Sequence, residues 1–145
     1  MEPSDEHAVG EFVNAWGTAT RPTSFGDPNH CDECAEANRN LLSLDRDDLE
    51  RSEMIEPSKA WFYAWMNFDG WLYFLPGIIT VAMRNPTKDL GIALDHLRPE
   101  WLTALPLNKA HALHELLNYC RACGYASDLQ ERESLQRAIL LTSTK

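Results

Sequence analysis

The sequence predicts an all-α fold, a single compact domain over residues 1–145 with about six or seven helices. Apolar residues recur at the three- and four-residue spacing of one helix face, beginning with Val9, Phe12 and Trp16. No segment alternates apolar and polar residues convincingly, as a half-buried strand would. A chain of 145 residues with 44% hydrophobic content is also sufficient to bury a core. We therefore expect at most a marginal hairpin, near residues 67–74.

Caps and apolar stripes define the first two helices. Ser4 is a suitable N-cap for the first helix, and Gly17 ends it. A loop containing proline and glycine follows, and a second helix is predicted over residues 30–44. One face of this second helix is expected to point toward the core; it carries Cys31, Cys34, Ala35, Asn38, Leu41 and Leu42. Residues 45–56 are predicted to form a short, exposed helix or turn.

The aromatic middle of the chain is predicted to form two helices joined by a turn over residues 67–70. The first begins after Ser58, which is a suitable N-cap. The second is a buried helix that ends at Arg84. Pro76 suits its first turn, where a missing N–H group costs little.

Three helices are predicted for the C-terminal part of the chain. Residues 90–97 have a short helical pattern. Asn108 is a suitable N-cap for a long helix that ends at Gly124. Ser127 and Gln130 have the spacing of a capping box, which predicts the start of the last helix.

The charge of the chain is concentrated in its N-terminal third. The net charge is −9, yet residues 1–56 hold 14 acidic and 4 basic residues, whereas residues 57–145 are nearly neutral. Nucleic acid is excluded as a ligand, because phosphate binding needs Lys and Arg. A protein partner with a basic surface suits this asymmetry. We predict that it contacts the densest acidic run: Asp45, Asp47, Asp48, Glu50, Glu53 and Glu56.

Two alternatives to this partner surface stay open. The acidic run is equally consistent with a solvated face that keeps the protein soluble and binds nothing. A partner could also bind exposed aromatic side chains such as Trp61 or Trp65 instead, because Trp and Tyr concentrate in binding hot spots.

The chain is predicted to act in the cytoplasm, without a membrane partner. The most apolar stretch, residues 70–83, is shorter than the roughly 20 residues that span a bilayer. The acidic start of the chain does not resemble a signal peptide. Thiols stay reduced in the cytoplasm, so a structural disulfide is not expected there.

All four cysteines fall in two Cys-x-x-Cys pairs, and three interpretations remain open. Each thiol could simply be buried, since free Cys is among the most buried residue types. The four thiolates of Cys31, Cys34, Cys120 and Cys123 could instead form a closed structural zinc site, with His30 as a substitute ligand. A redox dithiol is the third interpretation, although the βαβ context of thioredoxin-like proteins is absent. The pattern establishes no cofactor, and zinc is the one metal that it suggests.

No catalytic residue is predicted. His111 and His114 are three residues apart, and Glu115 follows them, but this spacing is not the metalloprotease helix motif. We expect both histidines to lie on a polar helix face. The chain also has neither a glycine-rich phosphate loop nor a Gly-x-Ser-x-Gly nucleophile elbow.

A set of motifs within residues 20–85 resembles a family of short bacterial proteins of largely uncharacterised function. The motifs are Arg21-Pro22, Phe25, His30-Cys31-x-x-Cys34-x-Glu36 and Trp71-x-Tyr73-Phe74-Leu75-Pro76. The resemblance implies a histidine directly after the Glu of the cysteine motif, where this chain has Ala37. If the family motif binds metal, this chain lacks one of its ligands.

Two classes of function follow from these patterns. The preferred one is a non-catalytic, acidic protein-binding module. By analogy it would be an immunity or antitoxin protein that neutralises a toxin with a basic surface, such as a nuclease, to which an acidic segment would be steered. The alternative is a small zinc- or thiol-dependent enzyme, which would need clustered polar groups in a cleft.

Overall fold

The computed structural model describes residues 1–46 and 66–143. Within these residues there are seven α-helices and no strand, so the predicted all-α fold class is confirmed. The helices are α1 (Pro3–Trp16), α2 (Asp32–Leu42), α3 (Phe68–Ala82), α4 (Pro86–Asp95), α5 (Pro99–Thr103), α6 (Leu107–Cys123) and α7 (Leu129–Ser143). The helix predicted after Ser58 lies outside the described residues. Residues 47–56 of the acidic run also lie outside them.

The chain divides into two compact units. One consists of Met1–Gly17 and Ala82–Lys145, and the other of Thr18–Val81. The first unit therefore combines α1 with α4 to α7, whereas the second contains α2 and nearly all of α3. That the whole chain behaves as one domain stays a prediction.

In the first unit, α6 lies between α1 and α7, and α7 also contacts α4 and α5. Helices α1 and α6 are antiparallel. The Tyr119 hydroxyl near the end of α6 donates to the Asp5 carboxylate near the start of α1, and Lys109 near the start of α6 donates to the Trp16 carbonyl at the end of α1. Apolar side chains of α1, α6 and α7 fill the core between them, among them Phe12, Trp16, Leu113, Leu116 and Leu135.

The helix ends of this unit follow simple backbone chemistry, with two corrections to the predicted caps. Gly124 ends α6 in a left-handed conformation (φ 70°), as predicted, because only glycine adopts it without strain. The first helix begins at Pro3 rather than after Ser4, since proline is favoured in a first turn. The long helix α6 likewise begins at Leu107, with Pro106 rather than Asn108 as its cap residue.

The capping box of α7 is shifted by one residue from its predicted position. The Asp128 carboxylate accepts a hydrogen bond from the Glu131 N–H group (2.8 Å), and the Glu131 carboxylate accepts one from the Ser127 N–H group (2.8 Å). The predicted pair, Ser127 and Gln130, was therefore wrong by one position, and Glu131 accepts from the residue before the cap rather than from the cap residue itself.

The second unit is built around Phe25, which is completely buried. Its ring packs against Phe74 and Tyr73 of α3, with ring centroids 4.9 and 5.9 Å away. Its N–H group donates to the side-chain oxygen of Asn38 on α2 (2.8 Å), and its carbonyl accepts from the Asn67 N–H group (2.7 Å). One loop residue thus joins α2 and α3, the two helices among the described residues of this unit.

Helix α3 corrects two predictions. Residues 67–70 do not form an isolated turn, because Asn67 caps α3 by accepting a hydrogen bond from the Gly70 N–H group (2.7 Å). Pro76 lies inside α3 rather than in a first turn. An interior proline costs about 3 kcal/mol, but α3 buries apolar side chains on both sides of it, including Leu75 and Ile79. Helix α4 begins at Pro86, with Asn85 as its cap residue, and so starts earlier than the helix predicted over residues 90–97.

Candidate metal centre

A tight turn before α2 positions the ligands of a candidate metal site. The Asp27 carboxylate accepts a hydrogen bond from the Asn29 N–H group (2.9 Å), and the Asp27 carbonyl accepts one from the His30 N–H group (3.4 Å). Cys31 follows in an extended conformation and is the N-cap of α2. Its sulfur accepts a hydrogen bond from the Cys34 N–H group (3.2 Å), in the manner of a capping serine. The local sequence therefore fixes both thiols relative to the helix start.

Three side chains converge at this turn. The ligand atoms of His30, Cys31 and Cys34 all lie within 4.8 Å of one another. The Cys34 sulfur is 3.4 Å from Nδ1 of His30 and 2.9 Å from the Cys31 sulfur. Neither thiol forms a disulfide. Hydrogen bonding with Cys31, followed by the charge of its thiolate, raises the pKa of the His30 imidazole.

The predicted burial of the Cys31/Cys34 pair is right for one thiol and wrong for the other. Cys34 is 5% exposed, whereas Cys31 and His30 are exposed. The reason is geometric: Cys31 is the cap residue and lies outside the helical turns, so it does not share the face of Cys34. Leu42, at the other end of the predicted stripe, is also exposed, whereas Leu41 is buried.

These donors fit a divalent metal ion of intermediate softness. Two thiolates and one imidazole are ligands that zinc uses, with Zn–S bonds of about 2.3 Å and Zn–N bonds of about 2.0 Å. Three protein ligands leave one position of a tetrahedral zinc site for a further donor. Because the thiols must lose their protons to bind, metal affinity would fall with decreasing pH.

The second cysteine pair lies in the other compact unit and has a different environment. Cys120 is completely buried on α6, 3.9 Å from the sulfur of Met83, whereas Cys123 is exposed. Burial raises the pKa of the Cys120 thiol to about 12, with smaller contributions from the charges of Cys123 and Asp5. This environment favours the neutral thiol over the thiolate that zinc needs. The four-thiolate site stays a prediction.

The position where the family resemblance implies a histidine faces the protein interior. Ala37 is 1% exposed, in the middle of the buried face of α2. His30 instead supplies the imidazole beside Cys34. From the sequence, His30 is expected only as a substitute ligand, and its position next to Cys31 is the signal that points to it.

Two other residues of the quoted motifs, Arg21 and Tyr73, meet in the same unit. The Arg21 guanidinium donates to the carbonyl oxygens of Leu42 and Leu44 at the end of α2 and to the Asp45 carboxylate (3.0 Å). It also lies 5.4 Å from the centre of the Tyr73 ring. These contacts hold the end of α2 in place, so these signature residues have a structural role.

Of the predicted partner-binding acids, only Asp45 belongs to the described residues. It is exposed and forms an ion pair with Arg21. Asp47, Asp48, Glu50, Glu53 and Glu56 lie outside them. The two histidines predicted for a polar helix face differ in exposure. His111 is exposed, whereas His114 is partly buried, with its Nδ1 atom 3.1 Å from the Thr142 hydroxyl of α7.

No protein-family model, curated protein or solved structure matches this chain. The resemblance to a bacterial family therefore rests on the quoted motifs alone. None of the helices within residues 1–46 and 66–143 offers an apolar stretch sufficient for a membrane span.

Proposed function

We propose that this chain is a non-catalytic, acidic protein-binding module that acts in a bacterial cytoplasm and neutralises a basic-surfaced protein, by analogy a toxin such as a nuclease. One observation carries the proposal. Between residues 1 and 46, every carboxylate except that of Asp5 is exposed, which makes eight exposed acids against three arginines. The acids are thus on the surface, where a partner can reach them.

Few of these exposed carboxylates form ion pairs with other described residues. Between two described residues, the ion pairs are those of His7 with Glu11 and of Arg21 with Asp45. The first turns of α2 carry Asp32, Glu33 and Glu36, and none of them takes part in a described ion pair. Carboxylates that are not neutralised internally add to a long-range negative field, which accelerates encounter with a basic surface.

Zinc fits this proposal as a structural ion. We propose that it binds His30, Cys31 and Cys34 and fixes the turn before α2, so that the neighbouring acids are held in one arrangement. The donor set and the convergence of the three ligand atoms support this choice. Pre-ordering a binding surface improves affinity because less conformational freedom is lost on association.

The test uses the protein encoded next to this chain's gene, because toxins and their inhibitors act as pairs. Association should slow as NaCl is raised from 50 to 300 mM, since salt screens exposed charges. Reversing Glu33 and Glu36 to Lys, or Asp47 and Asp48 to Lys, should lower the association rate without unfolding the protein. The matched control reverses Asp95 and Glu133, two exposed acids of the near-neutral region. Equal rates for all three double variants, or no association, would contradict the proposal.

A zinc-dependent enzyme is the second candidate, and one observation favours it. His30 and Cys31 are exposed, and three protein ligands with an accessible fourth position are the arrangement of catalytic zinc sites. The discriminating assay is hydrolysis of p-nitrophenyl acetate by the zinc-loaded protein. Turnover above that of free zinc, lost in Cys34→Ala, would favour the enzyme. Background rates for both proteins would favour the binding module.

A further inference from the structure

A groove of about 1130 Å³ lies in the first unit, between the antiparallel helices α1 and α6. Both helices contribute side chains with the same spacing: His7, Glu11 and Asn14 on α1, and His111, Glu115 and Asn118 on α6. Residues at this spacing lie on one face of a helix. The groove therefore has two similar polar walls that run in opposite directions.

The carboxylates of Glu11 and Glu115 lie on opposite walls of the groove, at nearly the same position along the helix axes. The contacts of Asp5 with Tyr119 and of Trp16 with Lys109 fix the register of the two helices. Interpolation between these contacts places Glu11 level with residues 113–114 of α6, within two residues of Glu115. Two residues correspond to about 3 Å along a helix axis.

The floor of the groove is apolar and its walls carry neither Lys nor Arg. Ala8, Phe12, Ala112 and Leu116 are among its lining residues, and none of the lining residues is Lys or Arg. Helix α1 as a whole contains neither residue. His7 holds Glu11 through a 3.2 Å contact, whereas no described ion pair uses Glu115. The groove thus combines an apolar base with two carboxylates, that of Glu11, which contacts His7, and that of Glu115, which forms no described ion pair.

The chemistry of the groove does not suit a bare metal ion. Among the described residues, three ligand side chains come within reach of one metal ion only at His30, Cys31 and Cys34. A longer cationic side chain fits better, because the guanidinium of an arginine can donate to carboxylates on two sides. A second copy of this chain is disfavoured as the occupant, since it would bring a further acidic α1 to the same place.

We propose that this groove binds an amphipathic helix of a protein partner, with its apolar face on the groove floor and an arginine between Glu11 and Glu115. The inference rests on the proposed function, because the basic-surfaced partner described there would supply the helix. It adds the place of contact and the recognition element. Helix-in-groove binding of this type uses apolar anchors three and four residues apart.

The first experiment uses a fluorescein-labelled, 18-residue peptide designed as an amphipathic helix, with leucines on one face and two arginines flanking it. Fluorescence anisotropy measures its affinity for the purified full chain. The substitutions Glu11→Gln and Glu115→Gln together should weaken binding about tenfold, as expected for two partly exposed charge pairs. The matched double variant Glu100→Gln and Glu133→Gln, on exposed acids outside the groove, should bind like the original protein.

A second peptide separates charge from apolar contact. With both arginines replaced by glutamine, it should bind at least about tenfold more weakly than the arginine peptide. The inference is overturned if neither peptide binds, if both bind equally, or if the groove variant binds as well as the control variant. Those outcomes leave the proposed function intact if the neighbouring gene product still binds in a salt-dependent manner. Failure of that protein to bind would instead refute the proposed function.

Discussion

The Asp5 carboxylate lies 2.6 Å from the Tyr119 hydroxyl, although 114 residues separate the two in sequence. Asp5 is 1% exposed, and the same oxygen also accepts a hydrogen bond from Tyr125 (2.6 Å). These two bonds attach the start of α1 to the end of α6 and to the residue after its cap. A buried carboxylate needs such donors, because burying an unpaired charge is costly.

This cluster predicts a loss of stability at alkaline pH. The hydrogen bond to Asp5 raises the pKa of Tyr119 to about 12, and the same cause raises the pKa of Tyr125. Unfolded tyrosine titrates near pH 10, so the folded protein holds these protons more tightly. The stabilisation is complete below about pH 10 and is lost as pH rises through 12. Urea unfolding at pH 8, 10 and 11.5 should show this decline.

The control for the alkaline effect is the double variant Tyr119→Phe and Tyr125→Phe. It should be less stable than the original protein at pH 8, because Asp5 loses both donors. Its free energy of unfolding should then change less between pH 10 and 12. An equal decline in both proteins would assign the pH dependence to other groups.

A second prediction concerns Lys109, which lies at the other end of the α1–α6 pair. It is 7% exposed, its ammonium donates to the Trp16 carbonyl (2.6 Å), and it lies 5.0 Å from the centre of the Trp16 ring. Lys109→Met should lower the free energy of unfolding by about 1.5–3 kcal/mol, the usual contribution of a hydrogen bond to a charged group. Lys88→Met, at an exposed position, is the control and should change it by less than about 0.5 kcal/mol.

The metal centre predicts one bound zinc ion per chain after refolding with zinc, measured by mass spectrometry of the metal content. Cys31→Ser and Cys34→Ser should each reduce the zinc content, whereas Cys123→Ser should keep it. Loss of zinc in Cys123→Ser would instead support the four-thiolate site. In metal-free protein, Cys34→Ser should still lower the free energy of unfolding by about 1–3 kcal/mol, because a hydroxyl is costlier to bury than a thiol.

The sequence predicts the helices of this fold well and their first residues poorly, and proline explains most of the difference. Pro3, Pro86 and Pro99 each occupy the first turn of a helix. The prediction ended one helix at Arg84 and began the next only at residue 90, so it used neither Pro86 nor Pro99 as a helix start. Pro76 shows the opposite case, since burial of apolar side chains in α3 outweighs the local preference of one residue.

The candidate sites differ in how far the sequence could predict them. The candidate metal centre is local, so the spacing of Cys31 and Cys34 and the adjacent His30 were sufficient to suggest these three residues. The exposure of Cys31 depends on its role as N-cap, which the apolar stripe does not reveal. The α1–α6 groove is not local, because the register of the two helices is set by contacts such as that of Asp5 with Tyr119.

Gly91 on α4 provides a last prediction, in which tertiary contact reverses a helix propensity. Replacing an interior helical glycine by alanine normally stabilises by about 0.5–1 kcal/mol. A Cβ atom at Gly91, however, would come within 2.7 Å of Cδ of Glu131. If Glu131 moved away, the hydrogen bonds that its carboxylate accepts from the Ser127 N–H and hydroxyl groups at the start of α7 would be lost. Gly91→Ala should therefore lower the free energy of unfolding, by about 1 kcal/mol if the cap is lost.

Gly10 and Glu131 supply the controls for this prediction. Gly10 is an exposed interior residue of α1, and a Cβ atom there meets nothing within 4 Å, so Gly10→Ala should raise the free energy of unfolding by about 0.5–1 kcal/mol. In a Glu131→Ala background the collision at Gly91 disappears, and Gly91→Ala should become neutral or stabilising. Chemical denaturation of the four proteins in this double-mutant cycle measures the coupling directly. A coupling energy near zero would show that α4 and α7 adjust without disturbing the cap.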